Sequence, residues 1–353
     1  MPDWSASMQQ TFEYYIVDPG TWKDRQLLTN VKSCSIQRDS QADTLGSATI
    51  DIVESVGECY IRVYLVTIQN GLKERFPLGT YLVQTPSSSF DGKIRSVTMD
   101  AYTPLLELKE NPPPIGYFIP KDSNIMEEAC RLVQSYARAP VVAATKSDIL
   151  YYDFVANTND TWLTYIRDLV ASANHSFDLD EMGRILFSPK QDAASLQPVW
   201  TFGDGDDSIL HPNFNMDHDL YDIPNVVEVI HSKGSDRYYA QAVNDDPNSP
   251  TSVQNRGRTI TRRVTDPDLG GDNPTNPQVQ EYAKRLLTSL STIEYTVSYT
   301  HAYCPVRVGD CVRLDYRKAG LSNVKAKVIS QSIKCEPGCP VQEKALITNK
   351  LWG

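Results

Sequence analysis

Basic charge, long apolar runs and histidine are all scarce in this 353-residue sequence. Lys and Arg number 34 against 44 Asp and Glu, a formal net charge of −10. A general nucleic-acid binder needs a basic face to release counterions from phosphates, so this balance excludes that class. It does not exclude a surface past which DNA slides without sticking. No apolar run reaches the ~18 residues of a transmembrane helix, and stable membrane insertion is not expected. The segment Met1–Ser5 has neither a basic n-region nor an apolar h-region, so no secretory signal peptide is expected there. Hydrophobic residues at 41% and charged residues at 22% exclude wholesale disorder. At ~150 residues per domain the length predicts two or three domains.

The familiar catalytic signatures are also missing. There is no Gly-x-Ser-x-Gly elbow, no Walker A loop and no His-Glu-x-x-His. Gly203-Asp-Gly-Asp-Asp-Ser208 starts like a phosphate loop but carries carboxylates that would repel a phosphate, and it reads as an acidic turn. Of the five histidines, His211 and His218 are the nearest pair, too poorly spaced for a metal centre; His175 suits a helix end. Asp178, Asp180 and Glu181 gather at a turn, where Asp is favoured for backbone reasons, and are the best candidates should the chain be a hydrolase. No pattern supplies a nucleophile or a cofactor cradle, so neither enzymatic activity nor a cofactor is expected.

Seven cysteines stand at 34, 59, 130, 304, 311, 335 and 339, most of them isolated in apolar stretches as small hydrophobes would be. The close pair Cys335 and Cys339 flanks Pro337-Gly338, a turn that would set two sulfurs across a hairpin mouth. A disulfide there becomes possible if the protein leaves the reducing cytosol. A zinc site would want a second pair, and Cys304 and Cys311 are wrongly spaced for one.

What is present is mostly strand. Thr11–Val17, Ser33–Arg38, Ser47–Val53, Tyr60–Ile68, Phe76–Val83 and Lys93–Ala101 have strand character, and Asn70-Gly71 is the strongest hairpin signal because a type I′ turn needs positive φ at both positions. Tyr60–Ile68 is apolar on both faces, which predicts burial on both. Asn111-Pro-Pro-Pro114 is a stiff break. After it come two helices, one capped near Ser123 or Asn124 and one starting near Asn159 or Asp160, and then a hairpin over Ser176–Ser188. Residues 244–277 read as a long polar irregular segment, followed by a helix with Asn276 as cap and Pro277 first. Ile293–Thr300, Arg307–Leu314, Ala326–Ile333 and Lys344–Thr348 return to strand.

Arg256, Arg258, Arg262 and Arg263 form the one local basic cluster. They are either a solvated loop or a docking arm for an acidic face of a neighbouring protein, or for a phosphate backbone in passing.

Three stretches carry a resemblance. They are Ser33–Asp39 through Leu45–Ile52 with Pro77–Val83; Trp162–Ala173 with Phe177–Phe187; and Val306–Leu314 with Ala326–Ile333 and Gln342–Thr348. In this order they resemble the baseplate hub proteins of phage tails and related contractile injection machines, such as the hubs of T-even phages, late-control D-type proteins and hubs of defective Bacillus prophages.

The resemblance implies an α+β, mainly β chain with two small antiparallel β-barrels flanking an α+β middle. The first barrel would be 1–110 and the middle domain 111–216. The second barrel would occupy 217–353, interrupted by a loop and helix at about 266–291. It further implies a homotrimer whose six barrels form a ring joining the tail tube to a spike or tip. Expected partners are the tube protein, spike or tip, tape-measure protein and baseplate wedges, with DNA in transit. The location would be the virion, after assembly in the host cytoplasm. A tail-associated cell-wall hydrolase and a receptor- or glycan-binding tail module are the alternatives.

Overall fold

The computed structural model describes residues 2–54, 56–90, 92, 95–144, 148–191, 195–206, 208–217, 223–233, 236–267 and 275–352. The chain is mainly β. It divides into two compact units, Met1–Phe214 with Ser298–Lys344, and Asn215–Val297 with Ala345–Gly353.

The first unit opens with β1 (Gln9–Asp18), β2 (Lys23–Leu28), β3 (Val31–Asp39), β4 (Gly46–Ile52), β5 (Cys59–Gln69), β6 (Leu72–Phe90) and β7 (Arg95–Tyr102). Asn70 and Gly71 both have positive φ, 51° and 78°, and Gln69 pairs with Leu72 across them, as the hairpin signal predicts. β5, hydrogen-bonded between β1 and β6, is buried along almost its whole length. β6 runs on past the expected end at Val83 to Phe90, and its Ser87–Ser89 run is held in the ladder by pairing with β7. β2 has too little apolar alternation to be seen in the sequence and forms by hairpin pairing with β1.

Then come α1 (Leu106–Lys109), β8 (Phe118–Ile119), α2 (Ile125–Tyr136), β9 (Phe154–Val155), α3 (Trp162–Ser172), β10 (His175–Leu179) and β11 (Ile185–Pro189). Asn124 caps α2 by accepting from the N–H groups of Met126 and Glu127. α3, expected to start near Asn159 or Asp160, begins at Trp162, because Thr161 is its cap and forms a reciprocal capping box with Thr164. Both helices bury their apolar stripes in a core that also takes Val17, Trp22, Tyr60 and Leu82 from the preceding sheet and Phe177, Ile185 and Phe187 from the β10–β11 hairpin. Tyr136, the last residue of the α2 stripe, stacks on Trp162 at 4.2 Å.

The remaining elements are β12 (Pro198–Gly203), β13 (Leu210–Asp217), β14 (Val226–Lys233), β15 (Asp236–Val243), α4 (Val253–Arg256), β16 (Thr261–Thr265), α5 (Asn276–Leu290), β17 (Thr292–Ala302), β18 (Cys311–Asp315), β19 (Val324–Lys334) and β20 (Pro340–Lys350). α5 is capped by Thr275 rather than by Asn276, which is its first helical residue, and it packs Val279, Ala283 and Leu287 on Val227, Val229, Ala240 and Ala242.

The barrels implied by the resemblance are not seen as closed barrels among the described residues. The main strand path is β13-β17-β20-β19-β3-β4-β7-β6-β5-β1-β2, with β18 paired to β12 and β19. β3 takes β19, from the far end of the chain, on the edge opposite β4 over Ser35–Asp39. Pairing is also not wholly antiparallel: β12 runs parallel to β18 and β14 parallel to β16. Both parallel pairs join strands separated by long connections, which is what parallel pairing requires.

Candidate functional site

Three arginines in the first unit converge on the turn between β10 and β11. Arg62 is almost wholly buried and ion-pairs with Asp24 at 2.8 Å, while also donating to Thr80 Oγ1 and to the Trp22 and Met182 carbonyls. The Trp22 indole N–H donates to the same Met182 carbonyl at 2.7 Å. Arg307 pairs with Glu181 at 2.7 Å and donates to the Leu179 carbonyl. Arg38 stands 3.8 Å from Glu181 and donates to the Leu78 carbonyl and to Gln331 Oε1. Burial opposes the Arg38 charge, but Tyr81 and Glu181 outweigh it and raise its pKa. Gly183 closes the turn at φ +75°, and a Cβ there would meet the Thr80 Cβ at 2.6 Å.

Of the carboxylates singled out in the sequence, Asp180 and Glu181 lie in this turn and Asp178 in β10 beside it, and each has structural partners. Asp178 accepts from Ser188 Oγ and from the Leu179 N–H; Asp180 accepts from the Arg184 N–H and ion-pairs with its guanidinium; Glu181 meets Arg307 and Arg38.

Behind Gln331 lies a fully buried acid. Glu343 accepts from Tyr299 OH at 2.7 Å and from Gln331 Nε2 at 2.5 Å, and His301 Nε2 stands 3.3 Å away. Burial works against its charge, yet the bonds from His301, Gln331 and Tyr299 hold its carboxyl below the ordinary glutamate range. Nothing in the strand pattern of Gln342–Thr348 distinguishes this glutamate from an exposed one.

The sequence's basic cluster lies in the second unit and is split in use. Arg263 sits opposite Glu228 in the β14–β16 pair and bonds it at 2.7 Å, holding the Glu228 carboxyl below its ordinary range. Arg256 ends α4 and donates to the Ile223 carbonyl; burial, then repulsion from Arg258, lowers its pKa. Arg258 and Arg262 face solvent. The described part of the polar segment that carries them, 244–267, is more ordered than its composition suggests. Buried Asn225 donates to the Arg258 carbonyl and accepts from the Ile260 N–H, and buried Asn244 donates to Ser249 and Thr251. These side chains supply the backbone partners that the loop cannot supply itself.

One surface feature went unread in the sequence. Residues 115–122 run against 149–156, with Phe118 paired to Val155 and the Asp122 N–H donating to the Leu150 carbonyl. Ile115, Phe118, Tyr151, Tyr152 and Val155 stand out from this ribbon, both tyrosines 83% exposed.

Among the described residues no group of three His, Cys, Asp or Glu could hold a metal ion. His175 is buried, its Nδ1 2.7 Å from the Ala173 carbonyl. His218 and Asp207, part of the weighed metal pair and acidic turn, lie outside the described residues. Cys335 is half-buried and Cys339 buried, and both are free thiols.

No family model matches the chain, and no curated protein matches it. Solved structures do. A tail protein from Neisseria meningitidis MC58 is similar at 12% identity over 98% of each chain, with a TM-score of 0.62. The 43 kDa tail protein of prophage MuSo2 from Shewanella oneidensis is similar at 10% identity over 95% of this chain and 97% of that one, TM-score 0.61. An Escherichia coli component of the type VI secretion system, described as structurally similar to two T4 tail proteins, gives 6% identity over 92% and 75%, TM-score 0.50. The chain therefore has the fold of phage and prophage tail proteins, the fold type expected from the resemblance.

Proposed function

We propose that this chain is the structural hub of a tail baseplate. The observation that carries the reading is the end-to-end fold match to tail proteins, 98% of this chain against 98% of the Neisseria protein. In this reading residues 1–110 and 217–353 are the two tube-facing modules and 111–216 the piece between them. Three copies close into a pseudo-sixfold ring that joins the tail tube to the spike or tip and encloses the path of DNA and tape-measure protein. The acidic balance of the chain, −10 overall, supports a lumen that repels DNA rather than holding it. Arg258 and Arg262, exposed on an acidic protein, fit a docking contact with an acidic face of a tube, spike or wedge neighbour.

The role is structural rather than enzymatic: the carboxylates a hydrolase would have used are engaged in the turn that Arg38, Arg62 and Arg307 grip. The protein would reside in the virion after assembly in the host cytoplasm. Native mass spectrometry of the purified chain should give three copies, and three per tail in assembled particles; six or twelve overturns the reading.

The exposed ribbon around Tyr151 and Tyr152 favours a second reading, a receptor- or glycan-binding tail module. Antibody raised against this ribbon should bind the intact particle if that reading holds, and should fail to reach an axial hub.

A further inference from the structure

Three of the seven cysteines gather where β3 begins and β19 ends. The register pairs Ile333 with Ile36 and Lys334 with Ser35, so the next step sets Cys335 opposite Cys34, and the Cys335 N–H donates to the Cys34 carbonyl at 2.9 Å. Residues opposed in this way point to the same face of the sheet. Those that share backbone hydrogen bonds stand roughly 5.5 Å apart at Cα, inside the span that disulfides tolerate. The sequence drew attention to Cys339 as the partner of Cys335, since only four positions separate them; the strand register brings in Cys34 from three hundred residues away.

We propose that Cys34 and Cys335 form a reversible disulfide that fastens an early strand to a late one once the protein meets an oxidising medium. The oxidant is a low-molecular-weight disulfide. The half-exposed Cys335, as thiolate, attacks one sulfur of the oxidant and expels a thiolate, leaving a mixed disulfide. Cys34 then loses its proton, attacks the Cys335 sulfur and expels the second thiolate. The protein gives up two electrons and two protons, and the oxidant becomes two thiols.

Cys34 is buried, and its hydrogen bond to Cys335, followed by burial, keeps its thiol protonated, so the second step is slow. Cβ atoms of a hydrogen-bonded pair lie about 5.5 Å apart, whereas a relaxed disulfide wants about 3.8 Å. The strands must pinch, and the bond is correspondingly easy to reduce.

The experiment uses the full-length protein, oxidised glutathione and mass mapping. After oxidation the remaining thiols are blocked with iodoacetamide and the protein is cut with trypsin without reduction. Cys34 falls in Ser33–Arg38, and Cys335 falls with Cys339 in Cys335–Lys344. The expected product joins these two peptides, and its fragmentation puts the carbamidomethyl group on Cys339. Dithiothreitol should abolish the link, and Cys339→Ser should retain it. An internal Cys335–Cys339 bond, a link from Cys34 to Cys339, or full alkylation of all three thiols each overturns the proposal. The wild-type map decides the matter even if a cysteine variant fails to fold.

Discussion

The chain uses arginine in two opposite ways. In the first unit Arg38, Arg62 and Arg307 point inward, each bonded to a carboxylate or to the carbonyls of a neighbouring element. In the second unit Arg258 and Arg262 point out, over a loop that is held by neutral side chains, Asn225 and Asn244. A guanidinium with its donors satisfied is a fastener for parts of one chain, and one left facing water is available to another chain. Residue type is therefore a poor guide to role in this protein. The direction the backbone gives the side chain is what separates the two groups.

The comparison can be broken most directly at Arg62. Arg62→Met should cost about 3–5 kcal/mol in urea denaturation, because it takes the guanidinium from Asp24 and leaves the Trp22 carbonyl and Thr80 Oγ1 without this donor. A loss under 1 kcal/mol would mean that the inward group does not fasten anything.

Glu343 tests the same interior through pH. Its carboxyl is held below the ordinary glutamate range, so the folded state gains stability above that range and loses it as pH falls through the lower folded-state pKa. Glu343→Gln should be less stable than wild type by roughly 1.5–3 kcal/mol at neutral pH. The gap should narrow as pH drops from about 6 to about 3, measured by urea melts at each pH.

Gly183→Ala should cost about 1–3 kcal/mol, since the φ of +75° and the Thr80 contact both oppose a Cβ. A wild-type melting temperature for this variant would show that the turn is not tightly gripped. The smallest effect on stability is expected outside: Arg258→Glu with Arg262→Glu should change unfolding free energy by no more than about 0.5 kcal/mol. The same pair should lower incorporation of the protein into tails, read by quantitative immunoblot of purified particles. Normal incorporation would remove the docking role.

Local chemistry made much of the fold legible. The Asn70-Gly71 turn, the Asn124 cap, the stripe of α5 and the doubly apolar β5 all follow from φ preference, capping and periodicity. The candidate sites were less legible. Asp178, Asp180 and Glu181 read as turn residues or as acids; Asp180 takes the nearby Arg184, and for Asp178 and Glu181 only the approach of Arg307 and Arg38 from distant parts of the chain shows what they do. The polar segment from 244 read as irregular because its α4 and β16 are short, and because part of the order of 244–267 comes from Asn225, outside it. The Tyr151-Tyr152 ribbon left no periodic signal, since each of its strands is two residues long.

The sequence by itself determined where strands and helices begin and turn, because those choices rest on forces acting within a few residues. It also set the acidic balance and the lack of a recognisable catalytic motif. The tertiary structure alone decided that β3 pairs with β19, that β12 and β14 take parallel partners, and that Cys34 faces Cys335. Those pairings join residues far apart in the chain, and every strand edge offers much the same backbone hydrogen bonds. The choice among them belongs to the packing of the whole unit, which no local stretch of sequence records.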